Sequence, residues 1–291
     1  MSVVNKLVHL RMHLDYKEYI CLKDFSIEEN LSIIRKECKN KSLLLCSIAF
    51  QNPEVIELQI KLLRKNLKDD FYYFIADNSL DIDKAKRIET ICHKYNVNYL
   101  RLPSNPYNGK NGMPSFSNGA AMNYVFTNLI HSCDVKYFGF LDHDIFPIKS
   151  ISLTDKMLKQ KFWGVLRCMP SNKYGKLTCN YLWAGFCFFD MSYIQNVNEI
   201  NFLPKRNLGD TGAANYYSVY YPIIKTDEYL EYTFANVKRL LIDGIDGTAQ
   251  ASQYECIDEA WIHYLNASNW SNEKIDVKEK KMKELINEYL E

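Results

Sequence analysis

The chain carries 36 basic against 35 acidic residues in a length of 291, a formal net charge of +1, with 47% apolar and 14% aromatic side chains. That apolar share fills a core and excludes disorder, while the balanced charge leaves no general field to hold nucleic acid or an anionic membrane. Its 11 glycines form neither G-x-G-x-x-G nor G-x-x-x-x-G-K-[ST], so a bound phosphate must be neutralised by something other than a glycine cradle.

In chain order, residues 1–41 read as an extension with a strand over 7–14 and a helix from Ile27, where Ser26 and Glu29 have the spacing of a capping box. Residues 43–50 are an apolar strand. Pro53 opens a helix to Asn66 with apolar Val55, Ile56, Leu58, Ile60, Leu62 and Leu63. A strand over 71–76, a helix over 81–95, a strand over 97–102, a loop over 103–118, a helix over 116–131 and a strand over 135–141 complete an alternation that implies a parallel α/β sheet. Beyond residue 148 the pattern loosens into strands near 162–167 and 185–189 and a helix over 212–221. A charged amphipathic helix follows Ser271; its lysines at 278–283 interleave with Glu279 and Glu284, which makes a solvated face the expectation and peripheral membrane contact the alternative.

The nine cysteines are odd in number, scattered and never spaced C-x-x-C, as reduced core thiols would be. Met1 to Leu14 is interrupted by Lys6, His9, Arg11 and His13, and no 18 apolar residues run together, so the expected location is cytoplasmic with no transmembrane segment. The sequons at Asn30, Asn40, Asn266 and Asn269 then carry no weight.

Ligands of an open parallel sheet bind outside the carboxyl ends of its strands. There the sequence places Phe50, Gln51 and Asn52, then Asp77 and Asn78, and finally Asp142, His143 and Asp144. Alternate residues of an extended segment point the same way, so Asp142 and Asp144 present two hard oxygen ligands suited to Mn²⁺ or Mg²⁺. Asp81 and Asp83 have the same spacing but follow a turn, where carboxylates favour a helix N-terminus.

With these motifs the sequence resembles the GT-A fold nucleotide-sugar glycosyltransferases, particularly the large family that builds bacterial surface polysaccharides, over about residues 42–270. The resemblance rests on Ala76-Asp77-Asn78-Ser79, Ser117-Asn118-Gly119-Ala120-Ala121-Met122-Asn123, Leu141-Asp142-His143-Asp144 and the segment from His263 to Trp270. It implies a nucleotide-sugar-binding half over 42–148 and an acceptor-binding half over 149–270. Phe50, Asn52, Asp77, Asn78, Asn118, Asn123 and Asp142 would line the nucleotide, and Asp142, Asp144 and His263 would hold the metal. A carboxylate at Asp77 accepts from a ring N–H, which favours UDP or GDP donors over cytosine or adenine ones. The polar Asn266, Ser268 and Asn269 would donate to the diphosphate, and a glycan or glycolipid would be the acceptor.

Sugar rings stack on aromatic planes, and of the stretches around Gly185 and over 216–221 the candidate acceptor contact is Trp183. An inverting displacement needs a carboxylate to take the acceptor hydroxyl's proton. Asp210 is the first candidate and Glu259 the second, with helix capping the alternative role for Asp210. Three rival readings remain. A haloacid-dehalogenase-type phosphatase shares the Asp142-His143-Asp144 pattern but wants Thr or Val where Phe146 stands. A sugar nucleotidyltransferase wants a glycine-rich loop where the chain has Ala49-Phe50-Gln51-Asn52-Pro53. A non-catalytic carbohydrate-binding protein would keep the same motifs.

Overall fold

The computed structural model describes residues 3–23, 25–110, 112–170, 178–194 and 196–291. Helices α1 (Val3–Cys21) and α2 (Phe25–Cys38) precede strand β1 (Leu43–Ala49). Then follow α3 (Pro53–Asn66), β2 (Phe71–Asp77), α4 (Ile82–Lys94), β3 (Asn98–Arg101), α5 (Pro114–Asn128), β4 (Tyr137–Leu141) and β5 (Ile145–Pro147). The rest comprises α6 (Leu153–Met157), β6 (Phe162–Pro170), β7 (Thr178–Asp190), α7 (Tyr221–Lys225), β8 (Val237–Leu241), α8 (Ala249–Ser252), β9 (Gln253–Ile257), β10 (Trp261–His263) and α9 (Asp276–Asn287).

A six-stranded sheet in the order β3-β2-β1-β4-β7-β6 is parallel through its first four strands and antiparallel at β7 and β6. The expected α/β class with a mainly parallel sheet flanked by helices is what forms. Both faces of β1 are covered, which is why it reads as a continuous apolar run. Leu44, Cys46 and Ile48 enter one core with α1, α2 and α5, whereas Leu43, Leu45 and Ala49 enter another with Ile56, Ile60 and Leu63 of α3 and Ile88 and Cys92 of α4. A second, four-stranded sheet, β5-β10-β9-β8, is wholly antiparallel. The remaining apolar face of α3, with Val55, Leu58 and Leu62, packs with that sheet and with Met282 and Ile286 of α9 in a third core.

Several expectations are corrected. Residues 7–14 are helix, because Met12, Tyr16 and Tyr19 turn inward at helical spacing toward α5. Helix α2 begins at Phe25, so Ser26 lies inside its first turn and makes no capping box. The helix expected over 212–221 is a 3₁₀ turn, a π turn and then α7. Pro222 has no N–H to give to the carbonyl four residues back and its ring crowds that carbonyl, so the chain widens and Tyr221 N–H reaches Tyr216 O instead. Strand pairing links residues 42–148 to residues 149–270, β4 with β7 and β5 with β10. Lys278 is buried rather than solvated, its ammonium donating to the carbonyls of Gln250, Gln253 and Leu265. Asp81 caps α4, as its position predicted. Seven of the cysteines are free thiols, and the side chains of Cys168 and Cys179 lie outside the described set. Among the described residues no helix is long and apolar enough to cross a membrane.

One buried amide fixes the turn that carries Asp142 to Asp144. Gln59 of α3 is fully buried; its NH₂ donates to Asp142 O (2.7 Å) and Ile145 O (2.8 Å), and its oxygen accepts from Ser47 Oγ (3.0 Å) and Tyr73 OH (2.6 Å). Glutamine has two donors and two acceptor sites, and all are used. Gln59→Leu takes a partner from four polar groups, of which Asp142 O keeps the Ile145 N–H (3.1 Å), so at about 1–3 kcal/mol for each group left unpaired stability should fall by about 3 kcal/mol or more in urea unfolding. A loss below about 1 kcal/mol would show that the turn holds itself.

Candidate active site

Asp142 and Asp144 lie just beyond the carboxyl end of β4, and pairing of β10 with β5 sets His263 opposite Ile145. One ligand atom from each of Asp142, Asp144 and His263 falls within 4.8 Å of the others. His263 Nε2 stands 3.6 Å from Asp144 Oδ1, and Nδ1 lies 2.9 Å from Glu255 Oε2. Two carboxylate oxygens and an imidazole nitrogen are a donor set that suits Mn²⁺ or Mg²⁺.

The electrostatics agree with a cation position. Burial, then the neighbouring charge of Asp144, pushes the Asp142 carboxyl up to about 7, and Asp210 adds to the rise while His263 and a hydrogen bond with Asn118 oppose it. Burial works against the His263 imidazolium, but Asp144, Glu255 and Asp142 outweigh it and raise its pKa. Burial also opposes ionisation of Glu255, yet His263, Arg239 and Arg167 bring it down to about 2. Arg239 Nε donates to Glu255 Oε1 at 3.1 Å.

His143, between the two aspartates, serves the scaffold. Its Nδ1 accepts from Phe50 N–H (3.3 Å), which assigns the proton to Nε2, donated to Ser268 Oγ (2.7 Å); the Ser268 hydroxyl donates back to Phe50 O (3.1 Å). Burial holds this imidazole's pKa down, in keeping with a neutral ring. Gly185 of β7 leaves the space Asp142 needs: a Cβ there would sit 2.3 Å from Asp142 Oδ2 and 2.4 Å from Trp183 Cζ2.

The expected nucleotide contacts divide. Asn118 hydrogen-bonds Asp142 and is partly exposed, as is Phe50, so both border the site. Asp77 is fully buried and engaged: Oδ1 accepts from Ser79 N and Oγ, and Oδ2 from Tyr99 OH and Arg101 Nη1. With four donors on it, the carboxylate has no site left for a base N–H, and it serves as an Asx turn and ion pair. Asn78 is tied to Ser117, Asn105 and Asn108. Asn123 joins Tyr16, Asn201 and Phe202 N. Asn52 caps α3 and donates to Ala267 O. Asn266 and Asn269 bond to Ser271 and Glu273 N within their own turn. These polar residues tie neighbouring segments together.

On the acceptor side, Trp183 is half-buried with its ring 4.9 Å from that of His263 and Arg167 over it at 5.2 Å. Phe186, Phe188 and Phe189 are core; Tyr216 and Tyr220 are buried, whereas Tyr217 and Tyr221 are exposed. Asp210 is exposed, and its charge reaches Asp142. Gly212, not Asp210, precedes the 3₁₀ turn, and among the described residues Asp210 Oδ1 accepts from the adjoining Thr211. Gly209 lets this loop close, since a Cβ would lie 2.4 Å from the Tyr181 ring, whose hydroxyl accepts from Asp210 N. Glu259 is removed as a candidate base. It is in the turn between β9 and β10, ion-paired with Lys238 at 2.7 Å, at the opposite end of β10 from His263.

Glu255, Arg239, Arg167 and Gln59 escaped the sequence reading. Seeing 253–257 and 261–263 as a hairpin would have set Glu255 opposite His263. That signal was hidden because Asp258 and Glu259 take the positive φ values (51° and 56°) that Asn and Gly usually mark.

No protein-family model matches the chain, and no curated protein matches it. Solved structures resemble parts of it. TarS of S. aureus aligns at 14% identity and a TM-score of 0.38 over 57% of this chain and 32% of that one. WbbM, described as a bifunctional glycosyltransferase in its apo form, aligns at 10% identity and 0.36 over 55% and 33%. Ktr4p, a mannosyltransferase of S. cerevisiae, aligns at 9% identity and 0.36 over 64% and 73%. The chain thus spans about a third of the TarS and WbbM structures. With TM-scores below 0.5, the functional reading rests on the site.

Because the folded chain keeps a proton on Asp142 that the unfolded chain loses near pH 4, stability contributed by this group falls as pH rises from about 4 to 7 without a cation. A divalent cation must displace that proton, so Mn²⁺ should raise Tm more at about pH 8 than at about pH 5. Equal stabilisation at both, measured by thermal unfolding, would remove Asp142 from the cation site.

Proposed function

We propose that the chain is a metal-dependent glycosyltransferase that moves a sugar from a nucleotide-sugar donor to a glycan or glycolipid acceptor. The observation that carries this reading is the convergence of Asp142, Asp144 and His263 at the carboxyl end of a parallel sheet, with the exposed carboxylate of Asp210 within charge range. A divalent cation bound there would supply Lewis-acid neutralisation of the departing diphosphate. Asp142, Asp144 and His263 would hold it, and Asn118 would orient the Asp142 carboxylate. Asp210 accepts the proton of the acceptor hydroxyl at a carboxylate oxygen, which makes direct, inverting displacement the expected course. Trp183 offers the half-exposed part of its ring to the apolar face of a sugar.

The preference for UDP or GDP rested on Asp77, whose acceptor sites are filled by protein donors, so the donor base is open. The test is a panel of nucleotide sugars covering every base, with Mn²⁺ and with chelator, read as nucleoside diphosphate release. Chelator-sensitive release from at least one donor is expected. Neither binding nor turnover with any donor would defeat the proposal, and hydrolysis of simple phosphomonoesters instead would favour the phosphatase reading. Asp144→Asn should abolish metal-dependent donor binding with the fold intact. Asp210→Asn should lower kcat by about 10²–10⁴ while leaving donor KM nearly unchanged. Parallel losses in kcat and donor affinity would make Asp210 a structural residue.

A further inference from the structure

The β9–β10 hairpin sets Glu255 and His263 as direct cross-strand partners. Glu255 is fully buried, and a buried carboxylate is stable only when its oxygens are occupied. Oε1 accepts from Arg239 Nε at 3.1 Å, Oε2 faces His263 Nδ1 at 2.9 Å, and Arg167 Nη2 stands 4.0 Å from Oε2. The two arginines reach in from the partly exposed rim, whereas His263 is the buried donor. A carboxylate has only lone pairs to offer, so Nδ1 must carry a proton to meet Oε2. In the neutral ring Nε2 then has the bare lone pair, and that atom faces Asp144 at 3.6 Å, beyond hydrogen-bond range. Trp183 against the ring further restricts it.

We infer that Glu255 is a positioning residue that fixes His263 as the Nδ1–H tautomer and aims its Nε2 lone pair at the cation position formed with Asp142 and Asp144. This rests on the reading of Asp142, Asp144 and His263 as cation ligands. Carboxylates behind metal-binding histidines act in this way in general, and their loss typically costs about 10–100-fold in metal affinity. Arg239 and Arg167 offset the charge of the buried carboxylate, and Arg167 lies over the Trp183 ring.

The experiment uses the full chain with ¹⁵N-labelled histidine, metal-free and at a pH above the titration of His263. Long-range ¹H–¹⁵N correlation should show His263 protonated at Nδ1. In Glu255→Met, which has no acceptor, the proton should move wholly or partly to Nε2. Mn²⁺ affinity, read by paramagnetic resonance, should fall by about 10–100-fold in that variant. Glu255→Gln, whose amide oxygen still accepts, should fall less. If Glu255→Met does not fold, the wild-type tautomer and Glu255→Gln still decide. An Nε2–H tautomer in the wild-type protein overturns the inference, as does Mn²⁺ affinity unchanged in both variants. A wild-type protein with the Nδ1–H tautomer but no Mn²⁺ binding would instead defeat the metal reading while upholding the role of Glu255 in orienting the ring.

Discussion

Two carboxylates two residues apart, brought close together and largely removed from solvent, repel each other, and much of the surrounding structure holds them there. A turn as short as that between β4 and β5 cannot resist this by itself. Gln59 ties its backbone at Asp142 and Ile145, and the circuit of His143, Ser268 and Phe50 ties its middle. Gly185 leaves room for the first carboxylate, and His263 brings a basic group to the second. Without a cation, burial first and the charge of Asp144 second push Asp142 toward neutrality, and a proton then relieves the repulsion.

The parallel half was legible because its central strands β1 and β4 are buried throughout and read as apolar runs, with helices of apolar stripe along the chain between them. Helix α1 was not, because Leu10, Met12 and Leu14 alternate with Arg11 and His13 and imitate a strand, while its inward spacing depends on tyrosines that composition alone cannot assign. The second sheet was missed for a different reason: its strands run only three to five residues, too short for a period to declare itself. Asp142, Asp144, His263, Trp183 and Asp210, singled out by position and chemistry, lie near one another. Asp77, Asn78 and Asn52 bond to the protein because a polar residue at a strand's end serves a buried turn as readily as a ligand, and Asn123, inside α5, ties that helix to Tyr16, Asn201 and Phe202. Only the count of hydrogen bonds on each separates the two uses.

The site spans about 120 residues of chain, and strand register closes that gap. Pairing of β10 with β5 sets His263 against Ile145, and pairing with β9 sets it against Glu255. A slip of one residue would turn Ile262 to the carboxylates and leave Glu255 buried without its histidine. A three-residue strand cannot fix its register by its own ladder, so the ends need anchoring. Lys278 supplies it from α9: its ammonium holds the carbonyl of Gln253, where β9 begins, and that of Leu265, just past the end of β10. Those two points lie at the end of the hairpin that carries Glu255 and His263. The C-terminal helix is therefore part of the support for the cation position, although none of its residues is a candidate ligand, and the buried lysine is the contact through which that support is exerted.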